Sequence, residues 1–105
     1  VTWPPDHDLN ARAAFLQMVP EPLHDGIEQY IERGRPSGDF LTAIYGGDLF
    51  AAATRADQVN RHYLRDIALF LFWHAPSAAI GSPEKVEAWV ERGGLARHQQ
   101  PVHEG

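Results

Sequence analysis

Apolar residues along this chain recur with helical spacing. Leu23, Ile27, Tyr30 and Ile31 stand at offsets 0, 4, 7 and 8, which is one face of a 3.6-residue period, while Glu21, Asp25, Glu28 and Glu32 take other faces. Pro22 suits the first turn of that helix, where no N–H is needed. Gly34 is a natural left-handed stop, and Arg33 favours the negative end of the helix dipole. Ahead of it, Trp3-Pro4-Pro5 reads as an extended lead-in. Asp6 or Asp8 then caps a first helix in which Leu9, Ala13, Leu16 and Val19 fall near one face, and Pro20 ends it.

Farther along, Arg35-Pro36-Ser37-Gly38 is a turn, and Phe40 to Tyr45 is a short apolar helix with Ser37 or Asp39 as its cap. Gly46-Gly47 breaks it. Asp48 restarts a helix that runs to about Ala56, and Asp57 caps the next or marks a kink. Residues 58–74 read as the strongest element, with Val59, Tyr63, Ile67 and Phe70 on one face and an unbroken apolar run from Ile67 to Trp73. A helix apolar all round is one enclosed by others, so this one is expected to be the central post. Ser82-Pro83-Glu84 is a compact helix start. Val86, Trp89 and Val90 form that helix's inner face, and Gly93-Gly94 ends it.

The pattern predicts an all-α fold: a compact bundle of five to six short helices around the central apolar helix at about 58–74. Residues 1–94 form a single helical domain and residues 95–105 a loosely held tail. The expected core is Leu16, Leu23, Ile27, Ile31, Phe40, Leu41, Ile44, Leu49, Phe50, Tyr63, Ile67, Phe70, Leu71, Val86 and Trp89.

Composition narrows the class. The 105 residues suit one small domain, with hydrophobic residues at 44% and charged residues at 22%, ordinary globular values. There are no cysteines, which removes disulfides and thiolate chemistry. No apolar run reaches the ~20 residues of a membrane span. The first residues lack the basic start and apolar core of a secretory signal, so a cytoplasmic location is the expectation. The formal charge of −5 opposes a general nucleic-acid binder. Most of that charge falls in residues 1–34, which hold six acids and two arginines.

Catalytic patterns find little support. Glu21, His24 and Glu28 share one helix face and suggest half of a di-iron arrangement, which needs a second Glu-x-x-His and two further glutamates. Glu84, Glu87 and Glu91 share a face without a histidine. His24 with Glu28 is more simply a surface pair. His62 and Asp66, at i and i+4, suit a local hydrogen bond, and His74 suits a helix C-terminus. Pro101 spoils any helical pairing of His98 with His103. No Gly-x-Ser-x-Gly elbow or glycine-rich phosphate loop is present. A metal-dependent enzyme built on Glu21, His24 and Glu28 is therefore the third reading, and the expectation is a protein that is not an enzyme and uses no metal or cofactor.

Two surfaces remain as candidates for binding. Arg61 and Arg65 stand one helical turn apart, Arg55 precedes them, and Arg33 and Arg35 form a second basic spot. Arginines beside an aromatic such as Tyr63 hold single-stranded nucleic acid by phosphate pairing and stacking. The simpler account has Asp57 and Asp66 neutralising Arg61 and Arg65, with Tyr63 on the core face. The second surface is acidic. Glu21, Asp25, Glu28 and Glu32 form a nearly straight stripe suited to a basic protein surface, although a charge stripe is commonly a helix's wet side.

The segment from Val19 to Trp89 resembles a group of small, mostly uncharacterised phage and prophage proteins. The matching pieces are Val19-Pro20, Gly26, Tyr30-Ile31, Gly34, Gly38, Phe40-Leu41, Ala43, Asp48-Leu49, Ala56-Asp57, Asn60, Ala75-Pro76 and Gly81-Ser82-Pro83-Glu84-Lys85-Val86, ending at Trp89. Gly47 stands where such proteins tend to have asparagine, and Ile80 replaces an aromatic. The resemblance implies a gene of a mobile element and, in a small protein without catalytic residues, an inhibitor of a bacterial defence system of the anti-CRISPR kind. Such an inhibitor acts in the host cytoplasm on an effector complex or on the single-stranded nucleic acid that complex displays. A prophage accessory or scaffold protein without inhibitory role is the alternative. Monomer and homodimer, and the roles of Trp3 and the tail, stay open.

Overall fold

Four side-chain caps set where helices begin. A computed structural model describes residues 3–98, and among these every helix start with an oxygen-bearing cap uses a residue legible in the sequence. Asp8 accepts the Ala11 N–H at 3.0 Å ahead of α1 (Leu9–Met18), and Asp48 accepts the Ala51 N–H at 2.9 Å ahead of α4 (Leu49–Arg55). Asp57 accepts the Asn60 N–H at 2.7 Å ahead of α5 (Gln58–His62), and Ser82 accepts the Lys85 N–H at 3.2 Å ahead of α7 (Pro83–Arg92). Each satisfies a donor that the first turn leaves without a partner.

The remaining helices are α2 (His24–Arg33), entered through a 3₁₀ turn at Glu21–Leu23, α3 (Asp39–Tyr45), α6 (Leu64–His74) and α8 (Gly94–His98). The described residues form eight α-helices and no strand, an all-α globule. No helix among them is long and apolar enough to cross a membrane. Neither Ser37 nor Asp39 caps α3: Gly38 stands at that position without a side-chain bond. Ser37 Oγ instead reaches the Gly26 carbonyl and the Tyr45 hydroxyl, tying α3 to α2.

α3 packs on α4, α2 on α8, α1 on α6, and α7 on α8 and on a second 3₁₀ turn at Ser77–Ala79. Two aromatic clusters occupy the centre. In one, Phe15 stacks on Phe70 with ring centroids 5.2 Å apart, and Trp3 meets both rings edge-on. In the other, Tyr30 stacks on Tyr45 at 4.0 Å, and the Trp89 indole N–H donates to the Tyr30 carbonyl at 2.8 Å. The Tyr30 hydroxyl donates to the Ala79 carbonyl. Aromatic contacts of this kind add to area burial. Burial also pushes both tyrosine hydroxyls far above their ordinary pKa, so they fold as neutral hydrogen-bonding groups.

Gly34 and Gly94 close the α2–α8 contact back to back. Both have positive φ, and a Cβ on Gly94 would lie 2.5 Å from the Gly34 nitrogen. No residue larger than glycine fits there without moving backbone.

The expected central helix at 58–74 is not one helix. Tyr63 separates α5 from α6, and its N–H bonds back to the Val59 and Asn60 carbonyls, closing α5. Nor is α6 enclosed. Ile67, Phe70 and Leu71 are buried, whereas Phe72 and Trp73 are 68% and 72% exposed. The chain is too small to wrap this helix on every side.

Three expected core residues lie in water: Leu16, Leu49 and Phe50, the last 85% exposed. α1 has two apolar stripes. It buries the one carrying Ala11 and Phe15 and leaves Leu9, Ala13 and Leu16 outside, because only Phe15 can stack on Phe70. Trp3 is buried as well, which the sequence left open. The boundary expected after residue 94 falls inside α8, whose Leu95 packs partly buried against the core. The rest of the expected tail, 99–105, lies outside the described residues.

Candidate binding interface

α2 carries the acidic candidates. Its inner face is fixed by Ile27, Tyr30 and Ile31, all buried. That orientation leaves Asp25 exposed, with Glu28 and Glu32 half-buried along its outer flank and Glu21 exposed in the turn before it. Asp25, Glu28 and Glu32 thus make an acidic ridge along α2 with Glu21 in the turn before it, and the four are not equivalent. Glu32 accepts the Trp3 N–H at 2.9 Å and so helps seat the N-terminal segment. Glu28 has its carboxyl pKa raised, first by burial and next by the charge of Glu32, with Asp25 adding to the effect. His24 pulls it the other way, less than Glu32 raises it but more than Asp25 does, and Arg12 pulls the same way most weakly. Burial, with the neighbouring Glu32 charge second, makes the ionised form of Glu28 costly on this ridge.

His24 lies within electrostatic reach of Glu28, as its spacing predicts, and is also held from the other side. Its ring stacks on Phe15 with centroids 4.2 Å apart, and its Nε2 lies 2.8 Å from the Val19 carbonyl oxygen. A carbonyl only accepts, so this contact holds a proton on Nε2 and removes that nitrogen as a metal ligand. Among the described residues, no three histidine and carboxylate side chains gather closely enough to hold a metal ion. His62 closes α5 while Asp66 lies in the first turn of α6, so the break at Tyr63 separates that pair. Asp66 instead contacts its neighbour Arg65 at 3.7 Å. His74 lies over the Phe70 ring at 5.1 Å. His103 is outside the described residues.

The arginines are spread over several elements. Arg33 ends α2 and Arg35 follows Gly34, both exposed. Arg55 ends α4 on the rim of a cleft between α3, α4 and α7, where Asp39 and Glu87 also line the opening. Arg61 belongs to α5 and Arg65 to α6, so one continuous helix does not hold them in register. Asp57 Oδ1 accepts the Asn60 N–H, and Asp57 and Arg61 form no ion pair within 4.0 Å. Tyr63 is half-buried against the core.

One surface escaped the sequence reading. Phe72 and Trp73 stand together on the outer side of α6, their rings edge-to-face at 5.1 Å. The available signal was the run from Ile67 to Trp73 itself. Seven successive apolar residues on a helix cannot all face one way, and a chain of 105 residues has few helices with which to cover the far side.

Comparison of the chain with family models, with curated proteins and with solved structures finds no match.

Proposed function

We propose that this protein works by binding and not by catalysis, as a phage-type inhibitor of the anti-CRISPR kind. It acts in the host bacterial cytoplasm on an effector complex of a defence system. The observation that carries this reading is the α2 ridge, where Glu32 and Asp25 stand beside Glu28, whose pKa is raised first by burial and next by the charge of Glu32. A basic protein surface brought against the ridge offsets that charge, and such surfaces are what nucleic-acid-handling complexes present. The net charge of −5 adds long-range attraction toward the same kind of target. The acidic net charge favours a protein partner over nucleic acid, with Arg33, Arg35, Arg55, Arg61 and Arg65 carried on several elements.

Phage plating tests the proposal on hosts that carry defined CRISPR–Cas systems and express the chain. The expected result is restored plating on at least one host. The double variant Asp25→Lys with Glu28→Lys should lose the effect while its circular dichroism spectrum is unchanged. Inhibition that survives this charge reversal, or plating that stays restricted on every host, contradicts the reading.

A further inference from the structure

From the way the N-terminal segment is fastened we infer that residues 3–8 are a displaceable strap, released when a basic partner takes Glu32 on the α2 ridge. The inference deepens the reading above and rests on its premise that the partner of the ridge is basic.

Residues 3–8 precede α1 and form no helix. Three fixings hold them. The Trp3 ring is buried edge-on against Phe15 and Phe70, at 5.6 and 5.7 Å. The Trp3 N–H donates to Glu32 Oε2 at 2.9 Å. Arg12 donates to the Pro4 carbonyl at 2.9 Å and pairs with the exposed Asp6 at 3.5 Å. Only Trp3 and Pro4 are buried, and the other four residues are half-buried or exposed. A short segment with so few buried contacts opens locally at less cost than the core does.

Glu32 belongs to the strap and to the ridge at once. It stands one helical turn beyond Glu28 on the outer flank of α2. It also supplies the acceptor for a backbone N–H at a buried residue, and such a donor left without a partner is costly. Seating of Trp3 therefore depends on Glu32. A guanidinium prefers to engage both oxygens of a carboxylate. An arginine that docks on the ridge at Glu32 so draws Oε2 away from the Trp3 N–H, and the strap opens. Opening uncovers Phe15 and Phe70, so a partner first held by charge gains an apolar contact after docking. The coupling is reciprocal: the seated strap weakens arginine binding at Glu32 by the same factor as the arginine weakens seating.

Acrylamide quenching of the Trp73→Phe chain tests the proposal, with an oligoarginine peptide as the cation and its binding followed by calorimetry. Trp3 and Trp89 are then the remaining tryptophans, both buried. Without peptide both should be shielded. As the peptide saturates, one component should become quenchable, and adding Trp3→Phe should abolish that component. Glu32→Gln keeps an acceptor oxygen for the Trp3 N–H and loses the charge. In that variant the peptide, still bound through Asp25 and Glu28, should leave Trp3 shielded. Glu32→Ala removes the acceptor and should make Trp3 quenchable with no peptide present. A bound peptide that leaves Trp3 shielded in the parent overturns the proposal. So does an equal release in Glu32→Gln, or a shielded Trp3 in Glu32→Ala. A chain that binds no oligoarginine overturns the ridge reading together with the strap, so the two failures are distinguishable.

Discussion

The two sides of α6 are built from the same kinds of side chain and do different things. Phe70, Ile67 and Leu71 face inward, and Phe70 meets Trp3 and Phe15 at ring distances of 5.7 and 5.2 Å. Phe72 and Trp73 face outward and meet chiefly each other and water. Hydrophobicity alone does not separate the two sets. Position in the helical turn does, because α1 is available to cover one side and, among the described residues, no helix covers Phe72 and Trp73. The inner side holds the fold together, and the outer side is left exposed.

The strongest way to break this comparison is to truncate one phenylalanine from each side. Phe70→Ala should cost about 3–5 kcal/mol, the range for deleting a buried aromatic side chain, and urea unfolding will report it as a large fall in midpoint. Phe72→Ala, measured at a concentration where the chain is monomeric, should stay within about 0.5 kcal/mol of the parent. Equal losses at the two positions would erase the distinction.

A second, smaller effect sharpens the contrast between tight and open regions. Gly94→Ala places a methyl group against the backbone of Arg33 and Gly34 at a residue with φ of +72°. It should destabilise by more than ~1 kcal/mol, visible as a lower thermal midpoint, although the substitution adds only one carbon. A neutral result would mean that the α2–α8 contact is looser than its geometry.

The smallest expected effect concerns charge. The Glu28 carboxyl has its pKa raised in the folded protein, by burial and then by Glu32. The folded state therefore holds the proton more tightly than the unfolded chain, and this residue's contribution to stability falls as pH rises from the ordinary carboxylate range through the raised value. Glu28→Gln removes that penalty. Its thermal midpoint should lie slightly above the parent's at neutral pH, and the gap should close toward about pH 3, where the carboxyl is protonated in both states. A midpoint lowered at neutral pH would reverse the sign.

Much of the local structure was legible because local chemistry decides it. Asp8, Asp48, Asp57 and Ser82 cap helices through a bond three residues ahead, and Gly34 and Gly93 end helices in the left-handed conformation. The inner face of α2 followed from spacing, and with it the location of the acidic ridge. What was illegible depends on partners distant in the chain. α1 offered two apolar stripes, and only the position of Phe70 selects Phe15 over Leu16. Nothing near Trp3 announces its burial, since its contacts come from Phe15, Glu32 and Phe70. The apolar run of α6 has no periodicity from which to choose an inner side. Commitment of the His24 Nε2 to the Val19 carbonyl likewise arises from how the chain turns at Pro20.

Tryptophan accessibility tests the central claim most directly. Trp3 and Trp89 are buried at 5% and 1% exposure, whereas Trp73 is 72% exposed. At a concentration where the chain is monomeric, iodide should quench one component of the fluorescence, and Trp73→Phe should remove that component while leaving a shielded, blue-shifted remainder. Quenching that persists unchanged in the variant, or a parent protein whose three tryptophans are equally shielded, would contradict an outward-facing α6.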